Sequence, residues 1–267
     1  MLEQAPSPEG LFAGRRRGGL LFDSSALGFG ISSFEAQPIC FSSPASFTAA
    51  ALLLPLGSLA IQQTRRRHRP ELLPLACMPV LFALQQAIEG LIWLQLESGS
   101  APAAVRPLAL AYLFFAFALW PSWIPWVALV IARGRLSPLR QKLLRAFCLS
   151  GLLMGLALWL PLLIEPDRLT TTVAGHSIAY SARLLFNNGL GEIGRGLYVA
   201  LITLPWLLIP SQRLRLFTLA LLASGLVADW LARHAFTSVW CFFSALLSGL
   251  ILWLVRREPA IQLAPQP

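Results

Sequence analysis

Apolar side chains occupy long uninterrupted runs along this chain, and polar residues gather in the short segments between the runs. A helix of about 20 apolar residues crosses the ~30 Å hydrocarbon core of a bilayer, so such runs predict membrane-spanning helices. Seven runs can be marked, of which the fifth and sixth are short: residues 44–63, 71–96, 107–132, 143–164, 196–210, 214–231 and 236–255. The sequence therefore predicts an all-α, polytopic membrane protein built as a seven-helix bundle.

The overall composition agrees with this class. Hydrophobic residues make up 56% of the 267 residues, charged residues make up 12%, and the mean hydropathy is +0.66. These values are typical of membrane proteins and not of soluble domains. We therefore expect the lipid bilayer to be the principal partner of the protein.

Basic residues fall unevenly on the loops between the predicted helices. Loops on one side hold thirteen of the 21 basic residues: Arg65, Arg66, Arg67, Arg69, Arg133, Arg135, Arg140, Lys142, Arg145, Arg213, Arg215, Arg256 and Arg257. Loops on the other side hold five: Arg106, Arg168, Arg183, Arg195 and Arg233. Because short loops rich in Lys and Arg stay in the cytoplasm, the sequence predicts a bacterial inner-membrane protein with its N-terminus outside and its C-terminus inside. The net charge of +9 is then a topology signal, and nucleic-acid binding is not predicted.

The first 39 residues fit this topology poorly. Arg15, Arg16 and Arg17 would have to lie outside, and Asp23 interrupts the apolar stretch that follows them. A cleaved signal peptide is not predicted, because no uninterrupted apolar region precedes a small-residue cleavage site. We expect residues 1–39 to be a disordered extension or the product of an upstream start, residues 40–257 to form the membrane domain, and residues 258–267 to form a cytoplasmic tail.

Two carboxylates, Glu89 and Asp229, lie well inside predicted spans. An acid in the membrane costs about 2.5–3.5 kcal/mol, so it usually faces a bundle interior, a partner or a water-filled cavity. Gln85, Glu89 and Trp93 share one helical face, and Gln86 lies one turn before Glu89. This polar stripe predicts a ligand or proton site with Gln85 and Gln86 as partners of Glu89. The alternative is that these side chains only tie neighbouring helices together by hydrogen bonds.

Further polar residues are expected at the same outer level. Asp229 is placed across the site from Glu89 with His234, although an ion pair with Arg233, one turn after Asp229, would also explain it. The loop of residues 165–192 is predicted to be a partly helical lid, in which His176 and Tyr180 have helical spacing.

A metal site is a weaker alternative at this level. Cys40, His176, His234 and Cys241 are possible zinc ligands, but they lack the spacing of H-E-x-x-H or C-x-x-C pairs. Cys40 and Cys241 are also open to reading as a disulfide or as free thiols.

Tryptophan and proline predict two further features. Trp93, Trp159, Trp230 and Trp240 are expected near the outer membrane boundary and Trp206 and Trp253 near the inner one, as an aromatic belt. Pro121 and Pro125 lie within the third run and predict a kink, because proline removes backbone hydrogen bonds.

Three segments resemble a family of small multi-pass bacterial membrane proteins of unknown function. They are Cys40-Phe41-Ser42-Ser43-Pro44-Ala45-Ser46-Phe47, Gln85-Gln86-Ala87-Ile88-Glu89-Gly90 with Trp93, and Ser238-Val239-Trp240-Cys241-Phe242-Phe243. Members of that family usually start at Met-Cys-Phe-Ser, which the first 39 residues do not match. The resemblance implies no activity, but it implies that the three segments belong to one unit.

The residues favour binding, sensing or transport of a small solute, ion or proton, with Glu89 as the ionisable centre. Nucleophilic catalysis is not favoured, because many serines are available and no sequence context selects one of them. One alternative is a metal-dependent intramembrane hydrolase acting on a lipid, although the chain lacks the paired histidines on the last helix of seven-helix ceramidase-like hydrolases. The other is a structural or assembly partner without chemistry.

Overall fold

The computed structural model describes residues 42–134, 136–174, 177–183, 191–232 and 236–257. The helices are α1 (Ser43–Arg66), α2 (Leu73–Glu97), α3 (Pro102–Leu113), α4 (Trp120–Ala132), α5 (Pro138–Ile164), α6 (Gly191–Leu207), α7 (Gln212–Ala232) and α8 (Phe236–Arg257), and the strands are β1 (Leu169–Ala174) and β2 (Ser177–Ala182). A π-helical segment joins α3 to α4, so the described residues contain seven continuous helices. The predicted mainly helical fold is confirmed.

Five of these helices are long and apolar enough to cross a membrane, within the part of the chain that is described. They are Ser43–Arg66, Pro70–Glu97, Pro102–Ala132, Pro138–Ile164 and Phe236–Arg257. The apolar part of α6, Ile193–Leu207, is shorter. The chain therefore has the elements of a multi-pass membrane protein.

Local sequence explains where several helices begin. The Ser42 hydroxyl accepts a hydrogen bond from the backbone N–H of Ala45 at the start of α1, and Pro44 stands in its first turn. Helices α3 and α5 begin at Pro102 and Pro138. Proline suits a first helical turn, because its fixed φ is helical and its missing N–H would have no partner there.

Helix α2 lies at the centre of the bundle. It packs against α1, α3 and α8, and the span that contains it, Pro70–Glu97, is the most buried of the five candidate spans, whereas α5 is the least buried. Leucines of α5 such as Leu149 and Leu153 are instead exposed. Exposed apolar side chains on a helix long enough to span are expected to face lipid. The central position of α2 places its polar stripe inside the protein.

The continuous helix formed by α3, the π-helical segment and α4 is distorted in its middle. Residues Phe114–Leu119 form a π-helical segment that ends two residues before Pro121, so the helix has a widened turn next to the prolines at which the sequence predicts a kink. Helix α5 crosses closely at this point, because a Cβ atom added to Gly151 would overlap the carbonyl oxygen of Pro121. Small residues permit such close helix approach in membranes.

A short 3₁₀ helix, Pro166–Arg168, and a two-stranded antiparallel hairpin follow α5, so the described part of the loop is mainly strand where a partly helical lid was expected. Strands β1 and β2 pair from Leu169 opposite Ala182 to Ala174 opposite Ser177. Tyr180 lies on β2 opposite Thr171, so its proposed helical spacing with His176 does not hold, and His176 itself lies outside the described residues. The hairpin contacts α3 through β1 and α8 through β2.

Basic residues from three parts of the chain meet at one end of the bundle. The Arg67 guanidinium donates to the backbone carbonyl of Arg256 at 2.6 Å, and Arg213 donates to the carbonyl of Arg257. Arg213 also lies over the ring of Trp253, 5.9 Å from its centroid. The loop after α1, the start of α7 and the end of α8 therefore share one basic face.

Candidate functional site

Glu89 is almost completely buried in the centre of the bundle, with 1% of its surface exposed. The Ser238 hydroxyl of α8 donates to one carboxylate oxygen at 2.5 Å, and the Gln86 amide donates to the other at 3.2 Å. No salt bridge found among the described residues involves Glu89. The carboxyl group is therefore held by neutral donors, one of which comes from a different helix.

Gln85 has a different role from the predicted one. Its amide NH₂ donates to the Cys241 sulfur at 3.3 Å, while its carbonyl oxygen accepts from the Trp120 indole N–H at 2.9 Å. Gln86 is thus a direct partner of Glu89, as predicted. Gln85, the preceding residue, instead joins α2 to α4 and α8 through its hydrogen bonds to Trp120 and Cys241. The side chain of Gln85 is itself fully buried.

Two tyrosines cover the Glu89 side of this region. Tyr112 from α3 and Tyr180 from the hairpin stack with their ring centroids 4.9 Å apart and their planes 12° apart. The Tyr112 hydroxyl is fully buried close to Glu89 and Cys241, yet it makes no well-formed hydrogen bond. Burial, followed by the nearby acidic groups of Glu89 and Cys241, raises the pKa of Tyr180 well above its ordinary value. Tyr180 therefore stays a neutral phenol that can donate a hydrogen bond.

Four buried polar atoms near Glu89 have no hydrogen-bond partner among the described residues. They are the side-chain carbonyl oxygen of Gln86, the indole N–H of Trp93, and the hydroxyls of Tyr112 and Tyr180. Buried polar groups normally find partners, and a group that does not points to a missing water, ion or ligand. We call Glu89, Gln86, Ser238, Tyr112 and Tyr180, together with Trp93 one turn beyond Glu89, the Glu89 cluster.

Asp229 has a described partner that the sequence did not indicate. Its carboxylate pairs with Arg195 of α6 at 3.3 Å, and both side chains are about one-third exposed. Arg233 and His234 lie outside the described residues. An ion pair with this much exposure is worth about 0–1 kcal/mol. Asp229 therefore has a cationic partner on α6, whereas Glu89 is held by neutral groups.

The possible metal ligands are mostly outside the described residues, where Cys40, His176 and His234 all fall. Cys241 is described, and its sulfur contacts the Gln85 amide. Within the described ranges, no group of three or more His, Cys, Asp or Glu side chains could hold a metal ion. Zinc binding by Cys40, His176 or His234 stays a prediction.

Sequence reasoning missed Ser238, Tyr112 and Trp120 as site residues. Ser238 had one available signal, because it is a polar residue at the start of an apolar helix and belongs to the third segment of the family resemblance. The aromatic-belt prediction also needs correction. Trp93, Trp206 and Trp240 are each at most 6% exposed, whereas Trp230 is 81% exposed. Of these four, only Trp230 is available to anchor the protein in lipid headgroups.

Comparison with known proteins gives a family without an activity. The chain belongs to a family of unknown function (DUF6629), which it matches over residues 39–266. This confirms the expected membership in a family of unknown function. No curated protein and no solved structure is significantly similar to the chain. A functional assignment therefore depends on the chemistry of the site.

Proposed function

We propose that this chain is a multi-pass protein of the bacterial inner membrane that binds or moves a proton, or a water-sized solute or ion, at Glu89. In this proposal, α6 and α7 complete the five candidate spans to a seven-helix bundle. The N-terminus lies outside and the C-terminus inside. The Glu89 cluster then lies in the outer half of the membrane.

The basic face supports this orientation. Arg67, Arg213 and Arg256 belong to three separate segments, and contacts between those segments bring them to one end of the bundle. Lys and Arg near the ends of spans are retained in the cytoplasm. The opposite end carries the hairpin, which packs against α3 and α8. The hairpin therefore lies on the outer side.

The observation that carries the proposal is the burial of Glu89 without a basic partner in the described residues. A carboxylate removed from water is costly unless a positive charge or several hydrogen bonds compensate it. Ser238 and Gln86 supply two hydrogen bonds, and no salt bridge among the described residues supplies a positive charge. A proton or a monovalent cation supplies that charge, and an anion does not.

The unpaired polar atoms support a small occupant. The Gln86 carbonyl oxygen can accept a hydrogen bond, and the Trp93 indole can donate one. Ordered water needs two to four such partners. Tyr112 and Tyr180 stack directly over this region, which favours a proton or a water-sized species over a larger solute.

Replacement of Glu89 by glutamine tests this function. The change keeps the shape of the side chain and removes the titratable group. Infrared difference spectra across a pH titration of the reconstituted protein should show a carboxylic-acid band that E89Q lacks. Proton uptake into proteoliposomes should fall to the level of protein-free vesicles.

Glu97 provides a matched control for that experiment. It lies at the end of the same helix, where it accepts hydrogen bonds from Ser43. E97Q should keep both the infrared band and the proton uptake. If E89Q retains the band and the uptake of the unmodified protein, Glu89 is not the proton site.

One observation favours a purely structural role as the second candidate. Glu89 and Ser238 join α2 to α8, as interhelical hydrogen bonds do in membranes. In that case E89Q should preserve every functional readout, while Glu89→Leu should only lower the thermal unfolding temperature. Stoichiometric zinc in the purified full chain, lost on replacing His234 or His176, would instead favour a metal-dependent hydrolase acting on a lipid.

A further inference from the structure

A cavity of about 40 Å³ lies beside the Glu89 cluster, between α2, α4, α6, α7 and α8. Neighbouring helices pack in the order α2, α8, α7, α6 and α4, and each of the five contributes residues to the wall of the cavity. Its walls are almost entirely apolar and are rich in aromatic rings: Phe82, Trp120, Tyr198, Phe217 and Trp240. Cys241 lies in the wall as well and also contacts Gln85.

The polar aromatic side chains of the wall direct their hydrogen bonds away from the cavity. Trp120 donates to the side chain of Gln85 at 2.9 Å. Tyr198 donates to the backbone carbonyl of Ala116 at 2.5 Å, and Trp240 donates to the hydroxyl of Ser224 at 3.2 Å. The rings therefore offer carbon surface to an occupant and few hydrogen bonds.

Water is a poor occupant for such a space. An ordered water needs two to four polar partners, and apolar cavities stay dry. The remaining polar wall residues are the thiol of Cys241 and the hydroxyl of Ser244. A thiol is only a weak donor and acceptor. The cavity therefore differs in chemistry from the Glu89 cluster, where unpaired donors and acceptors remain.

The volume restricts the apolar occupant. A cavity that binds benzene measures about 150 Å³, whereas this one is about 40 Å³. An aromatic ring does not fit, but the terminal carbons of an alkyl chain do. Filling the space restores dispersion contacts that the wall atoms otherwise lack.

The position of the cavity indicates the source of that chain. Phe82 lies about 14 Å along α2 at ~1.5 Å per residue, a little over one third of the way along this 25-residue helix. The helices that carry Phe82, Trp120 and Trp240 are among those long and apolar enough to span a membrane. The cavity is also partly open. Acyl chains of the bilayer are the alkyl groups present at this depth.

We propose that this cavity is a binding site for the end of one acyl chain of a membrane phospholipid. The chain end enters between the helices and contacts the rings of Trp120 and Trp240 and the thiol of Cys241. Trp120 and Cys241 are both hydrogen-bonded to Gln85. The side chain of Gln85 therefore separates the bound acyl chain from the turn of α2 that carries Glu89.

Photo-crosslinking of the full chain in phosphatidylglycerol bilayers tests this site. The lipid carries a diazirine on the terminal carbon of one acyl chain, and labelled residues are assigned by mass spectrometry. We expect adducts on Trp240, Cys241 or Phe217. The same lipid with the diazirine next to the glycerol should leave these residues unlabelled.

Filling the cavity should remove the adducts. Ile202 is a wall residue that is 4% exposed, and I202W should reduce labelling of the wall to the level without irradiation. Leu204 on the same helix is 43% exposed, and L204W should leave that labelling unchanged. S244L is a second filling variant in case I202W does not fold.

Three results would overturn the proposal. The first is that the chain-end probe leaves the wall residues unlabelled. The second is that a folded filling variant is labelled as strongly as the unmodified protein. The third is that the probe next to the glycerol labels the wall residues. None of these outcomes depends on whether Glu89 titrates. The acyl-chain site and the proton site can therefore fail separately.

Discussion

Replacing Ser238 by alanine removes the hydroxyl that joins α8 to the carboxyl group of Glu89. Ser238 is fully buried, and its oxygen lies 2.5 Å from the acceptor. Side-chain hydrogen bonds between membrane helices average about 0.6 kcal/mol and reach about 1.7 kcal/mol, while bonds to a charged group in proteins reach about 1.5–3 kcal/mol. A short, fully buried bond to a carboxyl group belongs at the overlap of these ranges. We therefore expect S238A to lower the free energy of unfolding by about 1.5 kcal/mol.

Ser248 supplies a matched control on the same helix. It is 1% exposed, and its hydroxyl contacts only the backbone carbonyl of Ser244 among the bonds described, at 3.5 Å. S248A removes the same atom from an equally buried position, and its cost should stay below about 0.5 kcal/mol. Reversible unfolding in mixed micelles with increasing dodecyl sulfate, followed by circular dichroism, measures both variants.

A double-mutant cycle with E89Q separates the hydrogen bond from packing. Removing Ser238 should cost less in the E89Q background, because the acceptor is then a neutral amide, and the difference is the coupling energy. Equal costs for S238A and S248A would refute the reasoning. So would an S238A cost that E89Q leaves unchanged, since the hydroxyl would then act through its volume alone.

Two further predictions concern packing and orientation. G151A should lower the free energy of unfolding by about 1–3 kcal/mol, because the new methyl group overlaps the Pro121 backbone. The control G249A has open space around its Cβ and should be neutral or stabilising. Equal unfolding midpoints for the two variants would contradict the close approach of α5 to α4. A reporter fused after Arg257 should be cytoplasmic and one inserted at Gly99 exterior, and the reverse labelling would overturn the orientation.

The helices were predictable from sequence because their signal is local. A run such as residues 143–164 is apolar at nearly every position, and it becomes α5, Pro138–Ile164. Length and hydrophobicity alone determine that such a run can form a spanning helix. The structure adds a helical turn where Pro138 begins the helix outside the apolar run. The residue at which a helix begins depends on its capping residues, and these lie outside the apolar run.

The hairpin was missed because its signal is weaker. Thr170, Thr171, Thr172 and Val173 form a β-branched run typical of strands. Two short strands become stable only when they pack on something, and here the hairpin lies against α3 and α8. Those contacts are tertiary and cannot be read from the loop itself. Local composition therefore hinted at a strand without determining it.

The candidate site was predicted in part. Helical spacing correctly gave Gln86 as a partner of Glu89, because the two residues are one turn apart on the same helix. The same spacing wrongly gave Gln85 that role, since its hydrogen bonds go to Trp120 and Cys241 on other helices. Ser238 reaches Glu89 from 149 positions away in the chain. Partners across helices depend on packing, which periodicity in one helix does not contain.

The widened turn at Phe114–Leu119 joins α3 to α4 and contains one residue more than a regular turn would. A π-helical turn holds one residue more than an α-helical turn, and each residue advances an α-helix by about 100°. Deleting one residue here would replace the widened turn by an α-helical turn, and the side chains of α4 would keep their present directions, so Trp120 would still meet Gln85. Only the widened turn itself, where the Ala116 carbonyl accepts a hydrogen bond from Tyr198, would change. Deleting a residue from a regular part of the same helix would instead turn every later side chain by about 100°. The widened turn is therefore a place where this helix can change its length by one residue and keep its packing, and relatives that share the bundle should tolerate such a change here.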